Sequence, residues 1–440
     1  MVPSRRGVLK GVGLAGLACG TPTGAAELAC RTSNGAADPE AEGLQATLER
    51  YFSFGDKASG GPGDQACAAW LEGELSQAGY ACRRQSFEVP YFEVRQATLR
   101  CGDARATVLP QAIVAETGPQ GLSAPLRLAN GCADLAGAIA LVILPYQRWI
   151  SLSEAQAARP LAEAIQRGAV GVVLVTTGPS REAIALNVST HVPAVGKPVA
   201  ILAPEDAPPF VAAASEGPTA TLTLDGSGGR GSRRLASNLI ATLDRGAAKT
   251  VVIFTPRSGW FGCAAERGSG LAIWLSLAKW LARTSHAVNV EVAASSGHEY
   301  DFLGGERFLA EAAPPPASTK LWVHIGASAG ARDWHVLGPK LLPLPSADAQ
   351  RFMTATPDLL ERTKCAFRGI TGLEEVYLAD KARAGGELGS VLRAGYQSGI
   401  GLFGVHRYFH TRGDDMACVS GDLVQPVAAA YRAALAEYLT

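Results

Sequence analysis

From about residue 236 to its end the chain alternates short apolar runs with longer amphipathic ones, and this restricts it to a sheet covered by helices. Strands are predicted at Ala236-Ser237-Asn238-Leu239-Ile240-Ala241-Thr242-Leu243, Thr250-Val251-Val252-Ile253-Phe254, Val288 to Ala294 and Lys320-Leu321-Trp322-Val323-His324-Ile325. Between them, Gly270 to Ala282 and Glu306 to Ala312 read as helices, and Leu423 to Tyr438 makes a closing helix. Strands alternating with helices form a sheet with helices on both faces. Ligands of such sheets bind outside the carboxyl ends of the strands, so polar side chains at strand exits are the candidate site.

Four exits carry them. Phe254 is followed by Thr255-Pro256-Arg257-Ser258-Gly259-Trp260, then by Cys263-Ala264-Ala265-Glu266-Arg267-Gly268-Ser269-Gly270. Ala294 leads to His298-Glu299, Val323 to His324, and Tyr408-Phe409-His410-Thr411-Arg412-Gly413-Asp414-Asp415 lies near the end. His298, His324 and His410, with Glu266 and Glu299, have the donor chemistry of a zinc site, because imidazole and carboxylate suit a borderline-soft cation. Taken singly, the commoner fate of such a histidine is a structural hydrogen bond, and of such a glutamate a solvated charge.

Upstream, Leu44 to Ala81 has helical spacing with Leu71, Leu75 and Ala78 on one face, and Arg84-Gln85-Ser86-Phe87-Glu88-Val89 alternates as an edge strand. Between about 96 and 229 the pattern changes. Ile139-Ala140-Leu141-Val142-Ile143-Leu144, Gly168 to Val175 and Val199-Ala200-Ile201-Leu202 read as buried strands, with a helix from Pro160 to Arg167. This order resembles the protease-associated domain, a small module inserted into several exopeptidase families; the plainer reading is an α/β insertion.

A length of 440 residues favours two domains. Lysine plus arginine equals aspartate plus glutamate, 40 each, so no net charge points to nucleic acid or acidic lipid. At the N-terminus Ser4-Arg5-Arg6-Gly7-Val8-Leu9-Lys10 precedes a short apolar stretch, and Gly24-Ala25-Ala26 follows at cleavage distance. This resembles a twin-arginine export signal over residues 1–30 and implies a periplasmic or secreted protein. Lipid anchoring at Cys19 is the weaker alternative, because Gly16 stands where lipoprotein signals place a large aliphatic residue. No later apolar run reaches the roughly 18 residues of a membrane span. The nine cysteines contain no CxxC pair, which argues against a cysteine-cage zinc site; Cys67 with Cys82 and Cys101 with Cys132 are the nearest candidates for disulfides. Cys263 is read as a packing residue rather than a nucleophile.

Three stretches carry a family resemblance. Glu266-Arg267-Gly268-Ser269-Gly270-Leu271-Ala272 resembles the metal-bridging Asp and following Ser-Gly-Val-Ala of the zinc exopeptidases of metallopeptidase family 28. His298-Glu299-Tyr300-Asp301-Phe302-Leu303-Gly304-Gly305 resembles their Glu-Glu-x-Gly-Leu-Leu-Gly-Ser, and Tyr408 to Asp414 their Tyr-Tyr-His-Thr-x-x-Asp. The resemblance implies an α/β zinc-exopeptidase-like (phosphorylase/hydrolase-like) three-layer sandwich with a mixed sheet, built from residues 40–95 and 230–440, with 96–229 as the smaller inserted α/β domain.

The departures bear on function. Where the family has His-x-Asp, this chain has Pro256-Arg257-Ser258; Glu266 replaces the bridging aspartate, His298 the general-base glutamate, and His324 the aspartate of the following strand. Of the family's ligands Glu299 and His410 stand unchanged, which argues against paired zincs. The resemblance leaves room for one zinc held by Glu266, Glu299 and His410, with His298 shuttling a proton from a metal-activated water. Glu266, one methylene longer than aspartate, moves that ion or pairs instead with Arg267 or Arg257. A second set is His298, His324 and His410. Glutaminyl cyclases resemble the single-zinc arrangement, which adds acyl transfer to hydrolysis of peptide or amide bonds as an expected reaction. The contrary expectation is a non-catalytic peptide- or ligand-binding homologue without metal, its cleft lined by Trp260, Trp322, Trp334 or Arg257. Glu387, in Gly385-Gly386-Glu387-Leu388-Gly389-Ser390, reaches that cleft or is a turn carboxylate.

Overall fold

The apolar runs pair in parallel at the centre of one mixed sheet. Thr250–Pro256 lies between Asn289–Ser295 and Thr319–Ile325, and Gly399–Gly404 continues the parallel set beside Thr319–Ile325. The computed structural model describes residues 42–129, 134–191, 195–284, 287–338, 340–382, 384 and 386–439. From this centre the sheet extends one way to Arg351–Ala355 and Val376–Leu378. The other way it runs through Thr219–Leu243 to Leu122–Leu128, Ile139–Ile143, Gly171–Val175 and Val199–Leu202. Because the central strands are parallel, Pro256, Ser295, Ile325 and Gly404 all leave the sheet at one end.

Period-two alternation divides the strand residues between the two faces. Val251, Ile253, Val290, Val292, Leu321 and Val323 pack with Leu271 and Leu275 of helix Ser269–Arg283 and with Val424 and Tyr431 of helix Gly421–Leu439. Val252, Phe254, Ala293 and Trp322 pack instead with Phe308 of helix Leu303–Glu311 and Leu388 of helix Gly386–Arg393. Both faces are therefore covered, as the alternation of strand and helix requires.

The segment expected as one helical run is two helices, Glu42–Ser53 and Pro62–Gln77. Gly55 and Gly60 break it, at φ +73° and +69°, and Pro62 starts the second helix where a missing N–H costs nothing. The edge strand is longer than its alternating core suggests. Ala81–Cys101 runs for 21 residues against the 25 residues of Thr219–Leu243, with register shifts at Pro90/Phe92 and Val94/Gln96. One end of this ribbon joins the central sheet and the other joins the sheet of residues 109–224, where Leu141 and Val173 pack on one face and Val142 and Leu174 on the other.

Gly399–Gly404 has too many glycines to read as a strand. The structure shows why they are there: a Cβ on Gly401 would lie 2.7 Å from Leu388 and 2.8 Å from Phe403. The expected cysteine pairings do not form. Cys67, Cys82 and Cys101 carry free thiols, Cys67 pointing into the helix-covered core and Cys82 lying 3.5 Å from Ser76 Oγ. Cys132 and the twin-arginine segment lie outside the described residues. No helix among the described residues is long and apolar enough to cross a membrane.

Candidate functional site

Glu266 and Arg267 lie in a π-helical turn, Ala264–Gly268, that opens the helix Ser269–Arg283. Such a turn holds an extra residue and is frequent at functional sites. Asp414 secures it, its two carboxylate oxygens accepting from the N–H groups of Ala265 at 2.8 Å and Glu266 at 2.9 Å. Both side chains of the turn are buried, Arg267 at 1% exposure. Arg267 Nη2 lies 2.7 Å from Glu266 Oε1, and His410 Nε2 lies 3.2 Å from the same oxygen. The His410 ring is fixed through Nδ1, which donates to the Ala185 carbonyl at 2.9 Å. Apart from this ion pair, Nε, Nη1 and Nη2 of Arg267 have no hydrogen-bond partner.

Opposite them stand His298, His324 and Glu387. Glu387 Oε2 is 3.5 Å from His298 Nδ1 and 3.7 Å from His324 Nε2, both too long for hydrogen bonds. His324 stacks between Phe254 and Phe403, at ring separations of 5.6 and 5.2 Å. Arg267, His298, His324 and Glu387 line a cavity of about 540 Å³ with Phe302, Phe352, Phe403 and Phe409. Arg148 and Ile150, from the segment 109–224, line it as well. A second, mainly apolar cavity of about 600 Å³ lies beside helix Ala155–Gln166 and shares none of these residues.

Burial and one cation set the charges here. Although burial pushes it up, Arg267 and His410 hold the Glu266 carboxyl down at about 2. Burial, reinforced by Arg267, lowers His298 well below its ordinary range and pushes His324 down to about 3, so both imidazoles are neutral near pH 7. Burial raises Glu387 to about 8 against the pull of Arg267. From its ordinary 4.5 up to about 8, the folded protein keeps a proton that the unfolded chain releases, so Glu387 makes stability fall as pH rises through that window. The buried histidines act in the opposite sense, below 6.5. Glu387→Gln is therefore expected to flatten the decline in unfolding free energy between about pH 6.5 and about pH 8.5. Urea titrations at the two pH values check this, and a decline equal to that of the native protein would refute it.

The expected site residues divide. Glu266, His410, His298, His324 and Glu387 come together, and Glu387 is the first-turn residue of a helix rather than a turn carboxylate. Arg257 is not in the cleft: fully buried, it is ion-paired with Asp64 at 2.8 Å. Trp322 is core, and Trp334 packs edge-on against Tyr408. Trp260 donates Nε1–H to Asn187 Oδ1 at 2.8 Å, fastening the strand exit to the segment 109–224. Arg267, for which the sequence suggests only a pairing with Glu266, is central: it makes that pair and also lines the cavity. Its sequence signal was a cation next to a glutamate at a helix entrance.

The donors expected for zinc do not gather. Glu299 Oε1 accepts from Ser59 N–H at 3.0 Å, and Oε2 accepts from the hydroxyls of Ser59 at 2.6 Å and Ser258 at 2.7 Å. Among the described residues, no three of Glu266, Glu299, His298, His324 and His410 bring ligand atoms within 4.8 Å of one another. The guanidinium already neutralises Glu266 and would repel a dication beside it. These residues do not fit a zinc ion in this arrangement, and a guanidinium faces the cavity instead.

A mixed sheet between two helical layers, with its polar side chains at the exits of parallel strands, is the zinc-exopeptidase fold of M28-like peptidases. The chain superposes on BSAP, a zinc aminopeptidase from Bacillus subtilis, with a TM-score of 0.70 over 90% of this chain and 94% of that one, at 18% identity. It matches a peptidase M28 precursor from Shewanella amazonensis with a TM-score of 0.68, 90% and 95% coverage and 18% identity. An aminopeptidase from Aneurinibacillus sp. follows with a TM-score of 0.63, 90% and 93% coverage and 16% identity. No family model and no curated protein sequence matches the chain. Likeness at this identity establishes the fold, while function resides in the site.

Proposed function

We propose that this chain binds a short peptide or small amide in the 540 Å³ cavity, using the Arg267 guanidinium where a peptidase of this fold would use metal. The observation that carries the reading is Arg267 itself: a buried cation lining a cavity, ion-paired with Glu266 through Nη2 and with Nε and Nη1 left without a hydrogen-bond partner. A planar guanidinium matches a carboxylate through two parallel hydrogen bonds. Four phenylalanines around it favour an apolar side chain next to that carboxylate. The neutral imidazoles of His298 and His324 and the raised carboxyl of Glu387 add hydrogen-bonding groups without opposing charge. In the same proposal the protein is exported by the twin-arginine route, and residues 96–229 are a protease-associated module over the cleft.

The second reading is a single-zinc hydrolase. It is favoured by the buried atoms that make no hydrogen bond, His298 Nδ1, His324 Nδ1, His410 Nε2 and both Glu266 oxygens, and it requires Arg267 to release Glu266. Calorimetric titration with short peptides ending in an apolar residue separates the two readings. Peptides with a free C-terminal carboxylate are expected to bind at least about tenfold more tightly than their amides, the discrimination of one charge-assisted contact of about 1.5–3 kcal/mol. Aminoacyl anilides and N-terminal-glutamine peptides are expected to be neither hydrolysed nor cyclised after reconstitution with zinc. Zinc-dependent turnover would replace the binding reading with the hydrolase.

A further inference from the structure

The loop after Gly399–Gly404 gathers three side chains that the peptide cavity does not use, His406, Asp414 and Cys418. We propose that they bind a divalent ion of the zinc type, in a structural site separate from that cavity. Their ligand atoms all lie within 4.8 Å of one another, and all three residues are buried at 1% exposure. An imidazole, a carboxylate and a thiol are donors that zinc accepts together.

His406 carries the second observation. Its Nδ1 is 2.9 Å from Ser328 Oγ, which fixes the ring. The opposite nitrogen, Nε2, is completely buried, has no hydrogen-bond partner and faces Asp414 Oδ1 at 3.5 Å. That separation is too long for a hydrogen bond. It is close to the distance of about 3.3–3.5 Å between nitrogen and oxygen donors on a tetrahedral zinc. With Nε2 on the ion, Nδ1 carries the proton and donates to Ser328, the arrangement usual for a ligating histidine.

Asp414 has the capacity to take part. Each of its oxygens accepts one backbone N–H, from Ala265 and from Glu266, and a carboxylate oxygen has a second lone pair. The Cys418 thiol donates to the Gly413 carbonyl at 3.2 Å. Binding the ion replaces this S–H with an S–metal bond and releases one proton to solvent. Thiolate and carboxylate then neutralise the dication, so the buried site carries no net charge. The Gly413 carbonyl or a water completes four ligands. The ion would fix Asp414, which holds the π-helical turn of Glu266 and Arg267, yet its presence does not depend on what the cavity binds.

Cobalt(II) titration of the full chain, stripped with chelator, tests the site, because a cobalt–thiolate bond has a near-ultraviolet charge-transfer band that imidazole and carboxylate ligands lack. One equivalent is expected to bind with that band, and Cys418→Ser is expected to abolish it. Ser328→Ala, which disturbs only the outer partner of His406, is expected to weaken binding by about 10–100-fold while keeping the band. It provides a second test if Cys418→Ser does not fold. Absence of the band at saturating cobalt in the native protein, or its persistence in Cys418→Ser, overturns the proposal. Cobalt bound without the band does so as well, by placing the ion on other donors. None of these readouts involves peptide, so failure here is distinct from failure of the cavity reading.

Discussion

Arg257→Met is expected to destabilise the protein by about 3–5 kcal/mol, the cost of removing one partner from a buried ion pair. The side chain is fully buried. Its Nε pairs with Asp64 Oδ1 at 2.8 Å, Nη1 donates to the Ala294 carbonyl at 3.0 Å, and Nη2 donates to the Ser237 carbonyl at 2.9 Å. Methionine removes the donors that Arg257 gives to both carbonyls and leaves Asp64 with the N–H of Gly60 and the hydroxyl of Ser296. The measurement is a urea midpoint that falls while the slope stays constant. Replacing the pair together, as Arg257→Met with Asp64→Leu, is expected to recover most of the loss, because apolar groups that fill a buried ion pair's volume are often neutral or stabilising. A loss under about 1 kcal/mol for the single variant would mean that the pair does not hold the strand exit to helix Pro62–Gln77.

Arg267→Met is expected to weaken binding of a free-carboxylate peptide by about thirtyfold or more, equivalent to about 2 kcal/mol for truncating one member of a desolvated charge pair. It also leaves the buried Glu266 carboxylate without its guanidinium partner, with His410 Nε2 at 3.2 Å as the remaining neighbour, so stability falls as well. Adding Glu266→Gln separates the effects. The double variant removes the orphaned carboxylate and is expected to regain stability without regaining affinity. If Arg267→Met binds the peptide as tightly as native protein, the guanidinium does not meet the ligand and the proposed recognition fails.

The sequence made most of the central sheet legible because its strands are uniformly apolar and short. The run 250–254, for example, becomes Thr250–Pro256 with both faces buried. Gly399–Gly404 escaped because its glycines serve close approach by Phe403 of the same strand and Leu388 of the preceding helix, a packing demand that hydrophobic periodicity does not register. At the site, the positions of His298, His324 and His410 followed from strand exits, whereas the fate of Arg257 depended on Asp64, 193 residues away. Glu299 illustrates the same limit. Its place beside His298 suggested a ligand, but Ser59, from the stretch between two helices, occupies two of its hydrogen-bonding positions. Local periodicity records which face a residue takes; it does not record which remote hydroxyl or carboxylate meets it there.

The ribbon of Ala81–Cys101 and Thr219–Leu243 has a mechanical consequence. A two-stranded beam resists bending where its ladder is continuous and yields where a bulge interrupts it. Its interruptions lie between Pro90 and Phe92 and between Val94 and Gln96, and Gly228 and Gly229, at φ +96° and +102°, face the same stretch. Any tilt of the outer sheet over the cavity is thereby confined to one joint, and the span from 81 to 90 moves as part of the central sheet.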